Sequence, residues 1–138
     1  MRFFVAGDPK SKGSKSLMRT KGGRYLMIES NANALRKWMK AIAQHAQLAC
    51  DKRIEGPVLL KCAFYFRRPK TVKKRKLPHV KPDLDKLLRA VNDALQGIAF
   101  ADDSQVTTIV SHKFYADGPS CEAGVLISLA SDEQEEKL

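Results

Sequence analysis

Aromatic side chains are scarce here, at 7% of 138 residues. That scarcity argues against a platform on which single-stranded bases stack. Cysteine is scarcer still: Cys50, Cys62 and Cys121 stand far apart, with no C-x-x-C pair and an odd count. The pattern excludes a disulfide scaffold and a cysteine zinc site, and suits free, mostly buried thiols in a reducing cytoplasm. His79 and His112 have no partners at metal-ligand spacing, so neither is given a chemical role. Long hydrophobic runs are missing. The N-terminal one covers only Phe3 to Ala6, too short for a signal peptide, and no stretch approaches a membrane span. Internal repeats are also absent.

Acid is the minority charge. Lys and Arg number 25 against 15 Asp and Glu, a net charge of +10. The positive charge is clustered, which points to a polyanionic partner. A chain of this length forms one domain with room for a sizeable core. Residues 1–130 are read as that domain, and 131–138 as an acidic tail that frays.

Along the chain, Arg2 to Ala6 reads as a first strand. The loop Gly7 to Lys15 is rich in Gly, Ser and Lys. Leu17 to Met27 reads as a hairpin that turns at Lys21-Gly22-Gly23-Arg24. Lys10, Lys12, Lys15 and Arg19 of this region suit phosphate contact, or simply solvate a flexible loop. Ser30 or Asn31 can cap a helix running to about Ala49, with Leu35, Trp38, Met39, Ile42, Ala46 and Ala49 as its buried stripe. Trp38 is read as core. Pro57 to Phe66 reads as a central strand. The next fifteen residues, Arg67 to Lys81, hold eight basic side chains: Arg67, Arg68, Lys70, Lys73, Lys74, Arg75, Lys76 and Lys81. With Pro69 and Pro78 and no helical stripe, this reads as a mobile basic loop that holds a phosphate backbone, or as a merely soluble tract. Val106 to Tyr115 and Ala123 to Leu129 close the chain as strands. The expected fold is α/β (α+β): a small mixed sheet with two main helices packed on it.

Between the basic loop and the last strands lies KPDLDKLLRAVNDALQGIAFADDSQV, residues 81–106. Leu84, Leu87, Leu88, Val91, Ala94, Leu95 and Ile98 recur in steps of three and four, one face of a helix. Pro82 and Gly97 mark its ends. Asp83 falls at the N-cap, so its carboxylate is free to swing toward Asp85. Arg89 lies four residues beyond Asp85 on the same face. A short apolar turn then brings Asp102 and Asp103 back toward them. Carboxylates gathered from a helix start and a loop suit a hard divalent cation, since Mg²⁺ takes oxygen ligands, waters and substrate phosphates. The bland alternative is an N-cap, a first-turn acid and a turn.

KPDLDKLLRAVNDAL followed by FADDSQV resembles the RusA-type Holliday junction resolvases. That family shows D-L-D at a helix start, D-A-L near its end and D-D-x-Q-V after a short loop. The resemblance implies a homodimeric, Mg²⁺-dependent endonuclease, with Mn²⁺ as a substitute, that resolves four-way DNA junctions by paired nicks in recombination and repair. It implies catalytic, metal-holding roles for Asp83, Asp85 and Asp103, with Asp102 as an auxiliary ligand. Arg89 stands where the family has a lysine; it keeps the charge but cannot transfer a proton near neutral pH. Lys86 stands where the family commonly has Asn, and is counted among the DNA contacts. The expected location is the cytoplasm, at the nucleoid, for a cellular or phage-encoded protein. Two other readings stay open: a basic DNA-binding protein without catalysis, and a metal nuclease for flaps or forks.

Overall fold

Every helix-facing position of the central strand is apolar, and that row organises the core. Strand β4 (Val58–Phe66) alternates so that Val58, Leu60, Cys62 and Phe64 are buried on one side. Such period-two alternation buries one sheet face and leaves the other open. β4 pairs in parallel with β5 (Val106–Tyr115) and antiparallel with β6 (Gly124–Ser131); β6 in turn pairs antiparallel with β1 (Arg2–Ala6). The resulting mixed sheet has the order β1-β6-β4-β5. β2 (Lys15–Arg19) and β3 (Tyr25–Glu29) form a separate two-stranded hairpin. The computed structural model describes residues 1–13, 15–29 and 31–133.

Two helices cover the apolar face. α1 (Ala32–Ala49) buries Leu35, Trp38, Ile42 and Ala46, whereas Met39 and Ala49 are only half-buried. Asn31 precedes it in the left-handed region with no side-chain cap; Ser30 lies outside the described residues. α2 (Leu84–Leu95) buries Leu87, Ala90, Val91, Ala94 and Leu95. It stops before Ile98, because Gly97 takes φ 88° and turns the chain away. The parallel step from β4 to β5 requires a crossover, and α2 supplies it. This is an α+β fold, as expected, with helices packed on one face of a mixed sheet.

Three expectations need correction. The hairpin begins earlier and ends later than the stretch Leu17 to Met27, and Leu17, Met18, Tyr25, Leu26 and Met27 are all exposed on it. Only Cys62 is a buried thiol, pushed up to about 12 by burial; Cys50 and Cys121 are half-exposed. The tail does not fray from Ser131. Ser131 still belongs to β6, and Asp132 donates its N–H to Pro57 O while its carboxylate accepts from Thr107 and Thr108. Residues 134–138 lie outside the described residues.

Candidate active site

α2 carries acids at its start, and the chain just beyond it carries two more. Asp83 is the N-cap residue, with extended backbone (φ −71°, ψ 140°), yet its carboxylate makes no capping bond. It stands 3.8 Å from Lys86 Nζ. Asp85, in the first turn, is exposed. The positive end of the helix dipole lies beneath both acids and favours negative charge there. A cleft of ≈ 260 Å³ opens beside Asp83, lined also by Ser11, Lys81, Pro82 and Lys86.

Cations surround this end. Arg89 is exposed, and its guanidinium lies against Gly13; a side chain at Gly13 would overlap Arg89 Nη1. The N-terminal loop is laid along α2 by two contacts. Lys12 N–H donates to Lys86 O at 3.0 Å, and Lys12 Nζ pairs with Asp93. Lys12 is therefore engaged with the helix while staying part-exposed. Lys113, to which the sequence alone assigned no role, reaches across from β5. Its ammonium donates to Val80 O at 2.6 Å and Pro82 O at 2.7 Å. Burial pulls its pKa below the usual lysine value, and the neighbouring Asp83 carboxylate opposes that shift. Lys113 thus holds the turn before α2 and adds positive charge beside Asp83. A lysine opposite Phe64, on the helix-facing side of the sheet, was the signal.

Asp102 and Asp103 lie at the other end of α2. The turn after the helix is closed by Ile98 and Ala99 N–H groups donating to Leu95 O, and Gly97 N–H to Phe100 O. Asp103 N–H then donates to Gln96 Oε1 at 3.2 Å. Asp102 caps a 3₁₀ turn, Asp103–Gln105, and its carboxylate accepts from Ser104 Oγ, which holds its pKa below the usual value. Gln105 is the fastener of this turn. Its Oε1 accepts from the Ala101 and Asp102 N–H groups, and its Nε2 donates to Ile54 O and Gly56 O.

The distance between the two acidic ends follows from the elements. α2 has 12 residues, so at about 1.5 Å per residue its ends are ~18 Å apart. β5 agrees: Val106 follows the Asp102–Asp103 turn directly while Lys113 touches Pro82, and seven strand steps span ~23 Å. The turn therefore does not bring Asp102 and Asp103 back to Asp83 within one chain. Among the described residues, no three His, Cys, Asp or Glu side chains are grouped to hold a metal ion. Asp83 and Asp85 share one end of the helix; Asp102 and Asp103 share the other.

The basic loop is also anchored rather than loose. Arg68 makes two bonds to the Asp117 carboxylate, both 2.9 Å, and stacks 4.2 Å above the Tyr115 ring. Its Nη1 also donates to Arg75 O, and Arg75 Nη1 donates to Tyr115 OH at 3.1 Å. Arg68 and Arg75 therefore help to build the loop. Arg67 approaches Asp8 at 3.5 Å. Lys70, Lys73, Lys74, Lys76 and Lys81 stay exposed on the loop, as do Lys15 and Arg19 on the hairpin, while Lys10 is half-exposed.

A sequence family described as Endodeoxyribonuclease RusA matches residues 6–125, which include both ends of α2 and the basic loop. The chain belongs to the RusA endodeoxyribonuclease family. A protein of Bacillus subtilis (strain 168), described as uncharacterized protein YqaN, is 29% identical over 133 residues, which cover 88% of this chain and 92% of that one. The matched residues include Asp83, Asp85, Asp102 and Asp103.

Proposed function

We propose that the protein is a Mg²⁺-dependent endonuclease that resolves four-way DNA junctions, working as a two-fold dimer. One observation carries the reading: Asp83 and Asp85 share the N-terminal end of α2, the Asp83 carboxylate caps nothing, Lys86, Lys113 and Lys81 lie beside it, and Arg89 stands one turn along the helix from Asp85. Two aspartates on a positive helix end suit an oxygen-preferring cation that also binds substrate phosphate. Bound there, Mg²⁺ or Mn²⁺ would activate water and offset charge on the phosphate.

The residues of the chain do the rest. Arg89, held against Gly13, faces developing negative charge without moving a proton. Lys86 and Lys81 flank the cleft and hold the DNA backbone; Lys113 keeps the preceding turn in place. Two aspartates leave room for one more acid, and Asp103 of the same chain is too far away. A second chain placed with its α2 antiparallel to the first would set its Asp102–Asp103 end against Asp83 and Asp85. Two such sites, related by the two-fold axis, match the two symmetric strands of a junction. The dimer therefore does two jobs here: it completes each site and pairs the cuts.

The test is incubation with synthetic four-way junction, linear duplex and flap DNA, with and without Mg²⁺. The reading expects paired nicks in the junction, loss of activity in EDTA, and binding without turnover in Ca²⁺. Undiminished cleavage in EDTA would end it, and preference for the flap would move it to another branched substrate.

A further inference from the structure

The sheet has a second face, away from both helices, that the site on α2 does not use. Strand pairing fixes which residues share it. Arg2, Ser128, Lys61 and Val110 form one row across the four strands; Phe4, Leu126, Ala63 and His112 form the next; Gly124, Tyr65 and Phe114 belong to the third. The first row is basic and the next two carry rings. Tyr65 and Phe114 stack with centroids 5.5 Å apart and planes 29° apart, and His112 stacks on Phe114 at 5.4 Å and 26°. Gly124 makes room for the ring of Phe4, since a Cβ there would come within 2.6 Å of Phe4 Cζ. A hollow of ≈ 420 Å³ on this face is lined by Arg2, Lys61, Val110, His112 and Leu126 among others.

We propose that this open face is a second nucleic-acid surface, one that stacks unpaired bases and holds their phosphates on Arg2 and Lys61. Four-stranded sheets with rings on an open face stack two or three bases in this way. The charges choose the occupant. Arg2 and Lys61 are exposed, and no Asp or Glu occupies the strand positions of this face; the acid beside the rings, Glu122, lies at the edge near Phe4 and Tyr65 and away from the Arg2–Lys61 row. A second copy docked on it about a two-fold axis would set cation against cation, which is unfavourable. A polyanion with flat bases suits both rows. The overall scarcity of aromatics does not decide the matter, because three of the rings, Phe4, Tyr65 and Phe114, share this face. The proposal goes beyond the α2 site, which lies on the other side of the sheet.

The experiment uses the full chain in EDTA, so that cleavage plays no part. Binding of fluorescein-labelled oligothymidylate of about 15 nucleotides is followed by anisotropy, with a blunt duplex as control. Tyr65→Ala/Phe114→Ala should weaken oligothymidylate binding by about tenfold or more, the scale of removing one base–ring stack, and leave duplex binding little changed. Lys61→Glu alters only an exposed side chain, so it keeps the test valid if the double variant does not fold. It should weaken binding and flatten the salt dependence by about 0.7 for each phosphate no longer neutralised. An oligonucleotide carrying iododeoxyuridine should photocross-link to Tyr65, His112 or Phe114. Unchanged affinity in the variants, or adducts confined to α2 and the basic loop, overturns the proposal. A double variant that becomes monomeric while still binding oligothymidylate also overturns it and assigns the face to a second copy.

Discussion

Replacing Gln105 with Ala should cost both stability and catalysis, although Gln105 has no acid, base or charge. Its amide makes four bonds, to Ala101 N, Asp102 N, Ile54 O and Gly56 O. A net ~0.5–1.5 kcal/mol for each would give ~2–6 kcal/mol. Ala101, Asp102 and Gly56 are exposed, so water can replace part of the loss. The low end, ~2 kcal/mol, is therefore expected. For a domain of this size about 4 °C of Tm accompanies each kcal/mol, so the melting point should drop by ~8 °C. Gln105→Glu should fare no better, because it keeps the two accepted bonds but turns a carboxylate toward two carbonyls. Below the new Tm, the Asp102–Asp103 turn has lost its side-chain tie to the 54–56 segment, and the bond from Ile54 N–H to Ala99 O is left to hold the loop there. Cleavage should then fall by up to ~10²-fold, the scale of an ångström of misplacement, while junction binding in Ca²⁺ stays near wild type. Thermal unfolding followed by circular dichroism, and nicking assays well below Tm, supply the two readouts. A variant that melts with wild type, or melts lower but cleaves at full rate, would refute the fastening role.

Substituting Lys73, Lys74 and Lys76 with Ala should weaken binding to every DNA and flatten the salt slope by up to about 0.9 for each phosphate left without its lysine; an unchanged slope would make the loop a bystander. Arg68→Ala should disorder that loop, seen as faster proteolysis at residues 67–81, because Arg68 ties it to Asp117 and Tyr115. The Asp117 carboxyl sits below its usual value of 3.8 through its bond to Arg68, so the tie is complete above that pH. It is lost as pH falls through the lowered folded value. Amide exchange in the loop should accelerate only in that acid window, and acceleration near neutrality would contradict the assignment. Cys62, buried with its pKa pushed up to about 12, should resist thiol reagents at pH ~8 until the protein unfolds, whereas Cys121 reacts in the native state.

How much of this was written locally in the sequence differs from element to element. α2 was legible because its apolar steps, Pro82 and Gly97 all agree, and β5 because a run of β-branched residues opens it. The order β1-β6-β4-β5 was not, since β1 pairs with a strand more than a hundred residues away. At the site, the D-L-D acids were found by spacing and family likeness. Their separation from Asp103 was not, because the direction of the turn depends on Leu95 O and Phe100 O accepting bonds from Gly97–Ala99. Charge counting marked Arg68 and Arg75 as DNA contacts. The bonds that tie them into the loop, to Asp117 and Tyr115, come from a strand and turn forty or more residues later.

Subunit complementation tests the central claim most directly. Asp85→Asn and Asp103→Asn chains are each purified, shown to bind junction DNA and not to cut it, then mixed and allowed to exchange. If each site takes Asp83 and Asp85 from one chain and Asp103 from its partner, a mixed dimer holds one wholly intact site beside one with both substitutions. The account predicts that the mixture regains single-strand nicking of a four-way junction in Mg²⁺, with few paired products. A mixture as inactive as its two parents, at a ratio where mixed dimers are shown to form, would contradict it.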